Sequence, residues 1–222
     1  MKREFSPAVE EGLTRGARAF GIVLGPRELE AFFLYYQELL RWGERMNLTA
    51  LKEEKEVVFQ GFLDSLVLNL AYDFSQGAQV IDLGSGAGFP AIPLKICFPL
   101  LPYTLVDSNH KKFSFLKHIS RLLDLNNMEI LWTRAELLAE KQRYREAYDV
   151  ATARALGSLT EVGTQSYPFL RTGGLLLAPR GGQEEPVILP GFISLQSLPY
   201  RLPEEERGRQ ILVLEKTPPV KN

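Results

Sequence analysis

The sequence predicts an α/β fold, a largely parallel sheet with helices on both faces, preceded by an N-terminal helical extension. Three observations carry this expectation. Residues 1–76 read as helical, with apolar residues recurring at spacings of three and four. From Gly77 onward, short apolar runs alternate with helical patterns of about 10–15 residues. The first of those runs ends in a glycine cluster that opens a helix. At 222 residues and roughly 150 per domain, the chain fits one domain with an appendage. The division expected is a helical extension, 1–76, and a sheet domain, 77–222.

Ser6 followed by Pro7 reads as an N-cap with proline in the first helical position. Leu13, Ala17 and Phe20 continue that helix. Pro26 opens a second, with Leu29, Phe32, Phe33, Tyr36, Leu39 and Leu40 as its apolar stripe, fraying near Gly43. A third helical pattern covers 55–72, with a break expected around Gly61. Strands are expected at 78–83, 103–107, 128–132, 148–153 and 174–179. Helices are expected between them at 90–98, 110–124, 135–143 and 158–170. The tail, 192–198 and 210–216, has no intervening helix and reads as an antiparallel hairpin.

Composition excludes several classes. Hydrophobic residues at 45% against 24% charged supply enough apolar material to exclude a disordered chain. Cys97 is the single cysteine, so an intrachain disulfide or a cysteine zinc site is excluded, and a reducing cytoplasm fits. The opening MKREFSPAVEEGL lacks the apolar core of a secretory signal. No run of 18 apolar residues suggests a membrane span. No metal site is expected, and the chain reads as a monomer. The net charge of −1 lacks the basic excess common in nucleic-acid binders. The charge is uneven, however. Segment 109–121 holds Lys111, Lys112, Lys117, Arg121 and two histidines with no acid, which is either a local electrostatic footprint or a solvated helix face.

The turn Asp82-Leu83-Gly84-Ser85-Gly86-Ala87-Gly88-Phe89-Pro90 is the most informative segment. A dinucleotide fingerprint needs G-x-G-x-x-G, but position 89 is Phe and the third glycine is Gly88. The G-x-G-x-G form suits S-adenosylmethionine, which has no phosphate to cradle. Asp82 either orients the loop or meets the ligand's ammonium. Asp107 ends the second strand, 107 − 84 = 23 residues after the first glycine, where an acid can accept from a ribose diol. Alternatively it caps the helix that follows. Ala135 and Glu136, after the third strand, lie where an adenine edge would sit.

The ordered set N-L-T-A (47–50), F-L-D-S-L (62–66), D-L-G-S-G-A-G-F-P (82–90), L-V-D-S (105–108) with Lys111-Lys112 and Phe115-Leu116, A-E (135–136) and A-R-A (153–155) resembles the glucose-inhibited division protein B family, also called ribosomal RNA small subunit methyltransferase G. The resemblance covers roughly 25–216. It implies a Rossmann-like, seven-stranded class I S-adenosylmethionine-dependent methyltransferase fold. It also implies methylation of guanine N7 at position 527 of 16S rRNA, as free RNA or in the small ribosomal subunit. By motif match, Gly84 and Phe89 flank the cofactor, Ala135 and Glu136 meet the adenine, and Arg154 lines the cofactor or RNA side. Three positions depart from the family pattern. Gly61 stands where a histidine is usual, Ala91 where glycine is frequent, and Arg180-Gly181 where Lys-Gly is usual.

Guanine N7 carries a lone pair and no proton, so no general base is required and no catalytic acid–base pair is expected. His110 and His118 read as surface residues. Phe89 either touches cofactor or base, or packs into the core. Asn47 and Asp64 either close the pocket or make interdomain hydrogen bonds. Lys111, Lys112, Arg154 and Arg180 are the candidate RNA contacts. The competing functions are a small-molecule methyltransferase and a non-catalytic cofactor- or RNA-binding module.

Overall fold

The computed structural model describes residues 4–154, 157–182, 189–206 and 208–218. Its centre is a seven-stranded sheet in the order β3-β2-β1-β4-β5-β7-β6. The strands are β1 (Val80–Leu83), β2 (Tyr103–Asp107), β3 (Met128–Trp132), β4 (Tyr148–Ala153), β5 (Leu170–Gly181), β6 (Phe192–Tyr200) and β7 (Arg209–Lys216). β1 to β5 run parallel, while β7 is antiparallel to both β5 and β6. The expected hairpin is therefore present, with β7 rather than β6 inserted against β5. Every residue of β1 is buried, as a central strand covered on both faces must be. The strand order reverses between β1 and β4, and the crevice at such a switch point lies beyond the carboxyl ends of the strands.

Two long helices start at prolines, α1 (Pro7–Ala19) and α2 (Pro26–Gly43). Ser6 does not cap α1 with its side chain. Its hydroxyl and N–H instead donate to the carboxylate of Glu54, at 2.7 and 3.0 Å, tying the chain start to the third helical stretch. That stretch runs as α3 (Glu54–Glu56), a π-helical segment (Val57–Leu63), α4 (Asp64–Leu66) and a 3-10 turn (Val67–Leu70). The break expected at Gly61 is thus a widening of the helix. A π-turn shifts carbonyls out of the regular ladder, and the carbonyls of Gln60 and Gly61 accept from the Arg154 guanidinium.

Beyond the extension lie α5 (Ala91–Cys97), α6 (His110–Leu122), α7 (Ala135–Ala139) and α8 (Leu159–Ser166). α7 is shorter than the expected 135–143, because Arg145 Nη1 donates to the Ala139 carbonyl and the chain continues as a 3-10 turn, Gln142–Tyr144. α8 stops short of 170 because Pro168 disfavours helix at the residue before it. One buried cluster spans extension and sheet, from Phe5, Leu13, Phe32 and Phe62 to Val80, Leu105, Phe115 and Val213. At its centre the Tyr35 ring lies 5.3 Å from Phe62, 5.7 Å from Phe89 and 6.3 Å from Phe115. No helix among the described residues is long and apolar enough to cross a membrane.

Candidate active site

The carboxyl ends of β1, β2 and β3 open onto a cleft of about 580 Å³, within the range of roughly 300–1,000 Å³ usual for small-molecule sites. It is lined by Gly84, Asp107, Asn109, Lys112, Ala135, Glu136 and neighbours, so all three sequence elements expected at successive strand ends converge there.

The glycine turn explains its own sequence. Gly84, Gly86 and Gly88 have φ of 67°, 59° and 101°, backbone that side chains with a Cβ rarely adopt. A Cβ on Gly88 would also meet Ile92 Cγ1 at 2.6 Å and Tyr35 Oη at 2.8 Å. Tyr35, fully buried on α2, donates its hydroxyl to the Ala87 carbonyl at 2.6 Å. The helical extension therefore holds the outside of the glycine turn, a tie that no local motif announces.

Asp107 is 6% exposed and uses both oxygens. Oδ2 accepts from the Gly86 N–H and Oδ1 from the Asn109 N–H, each at 2.8 Å. It is not the cap of α6. Asn109 takes that part, accepting from the N–H groups of Lys111 and Lys112. A carboxylate has about four lone-pair sites. Two here fix the glycine turn to the start of α6.

Asp82 lies beneath the turn, fully buried. Thr152, its partner in the β1–β4 register, donates to Oδ1 at 2.8 Å, while Oδ2 is buried without a hydrogen-bond partner among the described residues. Burial pushes its carboxyl up to about 7, although the neighbouring Ser85 and Thr152 hydroxyls draw it down. The folded chain holds this proton where the unfolded chain, with an ordinary value of 3.8, has lost it. Folding stability from this group should fall as pH rises from about 4 to about 7. Asp82→Asn is expected to flatten that fall, read as melting temperature against pH for the two proteins. Parallel profiles would contradict it.

The remaining candidates separate. Lys112 lines the cleft, whereas Lys111 is exposed and does not. Phe89 is 8% exposed and sits in the aromatic cluster, with the Arg154 guanidinium 5.4 Å from its ring centroid. Arg154 holds the π-turn carbonyls and approaches Asp64 Oδ2 at 3.4 Å. Asp64, 1% exposed, also accepts from Tyr200 Oη at 2.6 Å and from Arg209 Nη1 at 3.3 Å. Of the two roles open for Asp64, its contacts match the hydrogen-bonding link between extension and sheet. Asn47 is exposed on the loop after α2, and Arg180 lies on β5 opposite Gln210. Ala155 of the A-R-A motif lies outside the described residues. His118 is at the surface, its side chain 38% exposed, and its Nε2 pairs with buried Glu38 at 2.8 Å. Gln165 of α8 also lines the cleft, and only the folded chain brings it there.

Gly61, one of the three expected departures from the family pattern, has a steric reason. A Cβ there would stand 2.9 Å from Phe89 Cζ and 3.1 Å from Cε1. A histidine would require Phe89 to sit elsewhere. Gly61→Ala gains up to about 1 kcal/mol of helix propensity but overpacks the ring at a cost of about 1–3 kcal/mol. A net fall in melting temperature is expected; a rise would show that the Phe89 ring yields freely.

A family model described as GidB, rRNA small subunit methyltransferase G, matches residues 28–191. Proteins named ribosomal RNA small subunit methyltransferase G from Bacillus cereus and Bacillus thuringiensis (strain Al Hakam) are each 41% identical over 204 residues, covering 88% of this chain and 85% of theirs. Among solved structures, an MtNAS mutant in complex with S-adenosylmethionine superposes with a TM-score of 0.56 at 12% identity, covering 95% of this chain and 78% of that one. TrmN from Thermus thermophilus gives a TM-score of 0.50 at 18% identity, covering 68% and 48%. The structural likenesses show the fold, and the sequence matches show the family: the chain belongs to the GidB family, rRNA small subunit methyltransferase G.

Proposed function

We propose that this chain transfers the methyl group of S-adenosylmethionine to N7 of a guanine in 16S rRNA, the base at position 527. The observation that carries the reading is Asp107, whose carboxylate joins the glycine turn to α6 on the wall of the cleft. The residues fit the cofactor. Gly84 and Gly86 keep the loop backbone open, Asp107 has acceptor capacity for a ribose diol, and Ala135 and Glu136 border the far side for the adenine. Asp82, Gly88 and Phe89 support the turn from below and behind. Arg154 acts on the site through Phe89 and the π-turn.

The bound cofactor supplies an electrophilic methyl on a sulfonium. Guanine N7 needs no deprotonation, so the protein's task is to hold the base edge in line with that methyl and keep both still. Lys112, at the start of α6 and in the cleft wall, is placed to meet the phosphate beside the target nucleotide. Lys111, Asn47 and Arg180 are proposed to hold RNA further out. A small-molecule methyltransferase would need no such basic face.

The test is methyl transfer to small ribosomal subunits, naked 16S rRNA and a metabolite pool. Label in rRNA, as N7-methylguanosine, is expected. Label confined to metabolites would favour the small-molecule reading, and binding without turnover would favour a non-catalytic module.

A further inference from the structure

The outward face of α6 carries a second concavity, of about 640 Å³, away from the glycine turn. Trp42 of α2 closes one side, and Phe113, Lys117, His118 and Arg121 of α6 line the rest. Positions 113, 117 and 121 form one i, i+4 row along the helix, so their side chains stand in line. No carboxylate lines this groove. Glu38, the acid paired with the groove's His118, is 3% exposed at its side chain and is answered by Arg41 at 2.7 Å and His118 at 2.8 Å. Among the described residues no ion pair engages Lys117 or Arg121, and the Lys117 ammonium lies 5.8 Å from the Phe113 ring centroid.

The groove connects to the cofactor cleft through aromatic surface. Trp132, at the end of β3, is 58% exposed, a high value for so large an apolar side chain. Its Nε1 donates to the carbonyl of Ser108, a residue of the cleft wall. Its ring meets His110 edge-on at 4.6 Å and lies 6.4 Å from Phe113. One helix thus offers Lys112 to the cleft and Lys117 and Arg121 to the groove. At 1.5 Å per residue, Lys112 and Arg121 are about 14 Å apart along its axis. Flat rings interleaved with cations, in a groove whose lining holds no acid, suit unpaired nucleotides, whose bases stack on rings while their phosphates meet lysine and arginine.

We infer that the face of α6 between Trp132 and Trp42 is a track for the single-stranded RNA that flanks the target base. The inference rests on the rRNA-methyltransferase reading and adds where the strand runs. The track serves binding and leaves the transfer step to the cleft.

The chain supplies its own probes, because Trp42 and Trp132 are its only two tryptophans and stand at opposite ends of the track. The experiment titrates full-length protein with an unstructured RNA oligonucleotide, following tryptophan fluorescence and, separately, anisotropy of labelled RNA. Quenching is expected in the wild type, in Trp42→Phe and in Trp132→Phe, all near the anisotropy midpoint. The double reversal Lys117→Glu with Arg121→Glu should raise the dissociation constant at least about tenfold. It should also shallow the slope of log affinity against log salt by about 1.4, two phosphate contacts at roughly 0.7 each for single strands. Its adenosylmethionine affinity and melting temperature should match wild type. RNA that binds by anisotropy with both tryptophan signals flat and the double reversal unaffected would overturn the track and leave the rRNA reading standing. If the double reversal binds RNA normally but loses methylation of assembled subunits alone, the face contacts a ribosomal protein, and the track is again overturned. A wild type that neither binds nor methylates RNA would overturn both.

Discussion

Asp107→Ala is expected to weaken adenosylmethionine binding by at least about 100-fold while the sheet still folds. Two effects add. The substitution removes the acceptor that faces the cleft, and hydrogen bonds to charged groups are worth about 1.5–3 kcal/mol each. It also frees the Gly86 and Asn109 N–H groups that the carboxylate holds at 2.8 Å, so the glycine turn loses its tie to α6. Asp107→Asn should fall between the two. Its amide keeps one acceptor oxygen, but its nitrogen then faces a backbone donor. Calorimetric titration with adenosylmethionine, alongside a thermal melt, checks both variants. Wild-type affinity in a folded alanine variant would remove Asp107 from the site.

The second large effect is on stability. Asp64→Ala is expected to cost about 3–5 kcal/mol, the penalty for removing one member of a buried ionic group. Asp64 is the shared acceptor for Tyr200, Arg209 and Arg154, so its loss leaves two guanidinium groups and a phenol facing an apolar side chain. At roughly 2–4 °C per kcal/mol for a chain of this size, the melting temperature should fall by about 6–20 °C. Tyr200→Phe removes one bond of the same group and should cost only about 0.5–1.5 kcal/mol, since the carboxylate keeps its ionic partners. Equal melting points for wild type and Asp64→Ala would show that the link between extension and sheet carries no load.

What was readable in the sequence was mostly local. A buried parallel strand announces itself as an apolar run, and a turn needing φ > 0 three times announces itself as G-x-G-x-G. Strand spacing then placed Asp107 and Ala135 at the cleft. Contacts across long sequence separations were not readable. Tyr35 reaches Ala87 over 52 residues and Arg154 reaches Gly61 over 93, and neither is marked by its neighbours. Local rules also failed where tertiary partners outbid them. Ser6 has an N-cap's position, yet its hydroxyl serves Glu54. Asp107 is adjacent to a helix start, yet the cap is Asn109. Gly61 lies in a helical pattern that it was expected to break. Arg154 instead satisfies the carbonyls that the wider turn releases. Lys112 and Lys111 are neighbours with one charge pattern, and only the helix geometry sends one into the cleft and the other outward.

The cleft around Asp107 is proposed to hold the methyl donor for a guanine of small-subunit rRNA. The most direct test is mass-spectrometric mapping of 16S rRNA after incubation with adenosylmethionine and either wild-type protein or Asp107→Ala. One new N7-methylguanosine, at position 527, should appear with the wild type and be nearly absent with the variant. Methyl label on a different base, or equal label from both proteins, would remove the Asp107 cleft from this reaction.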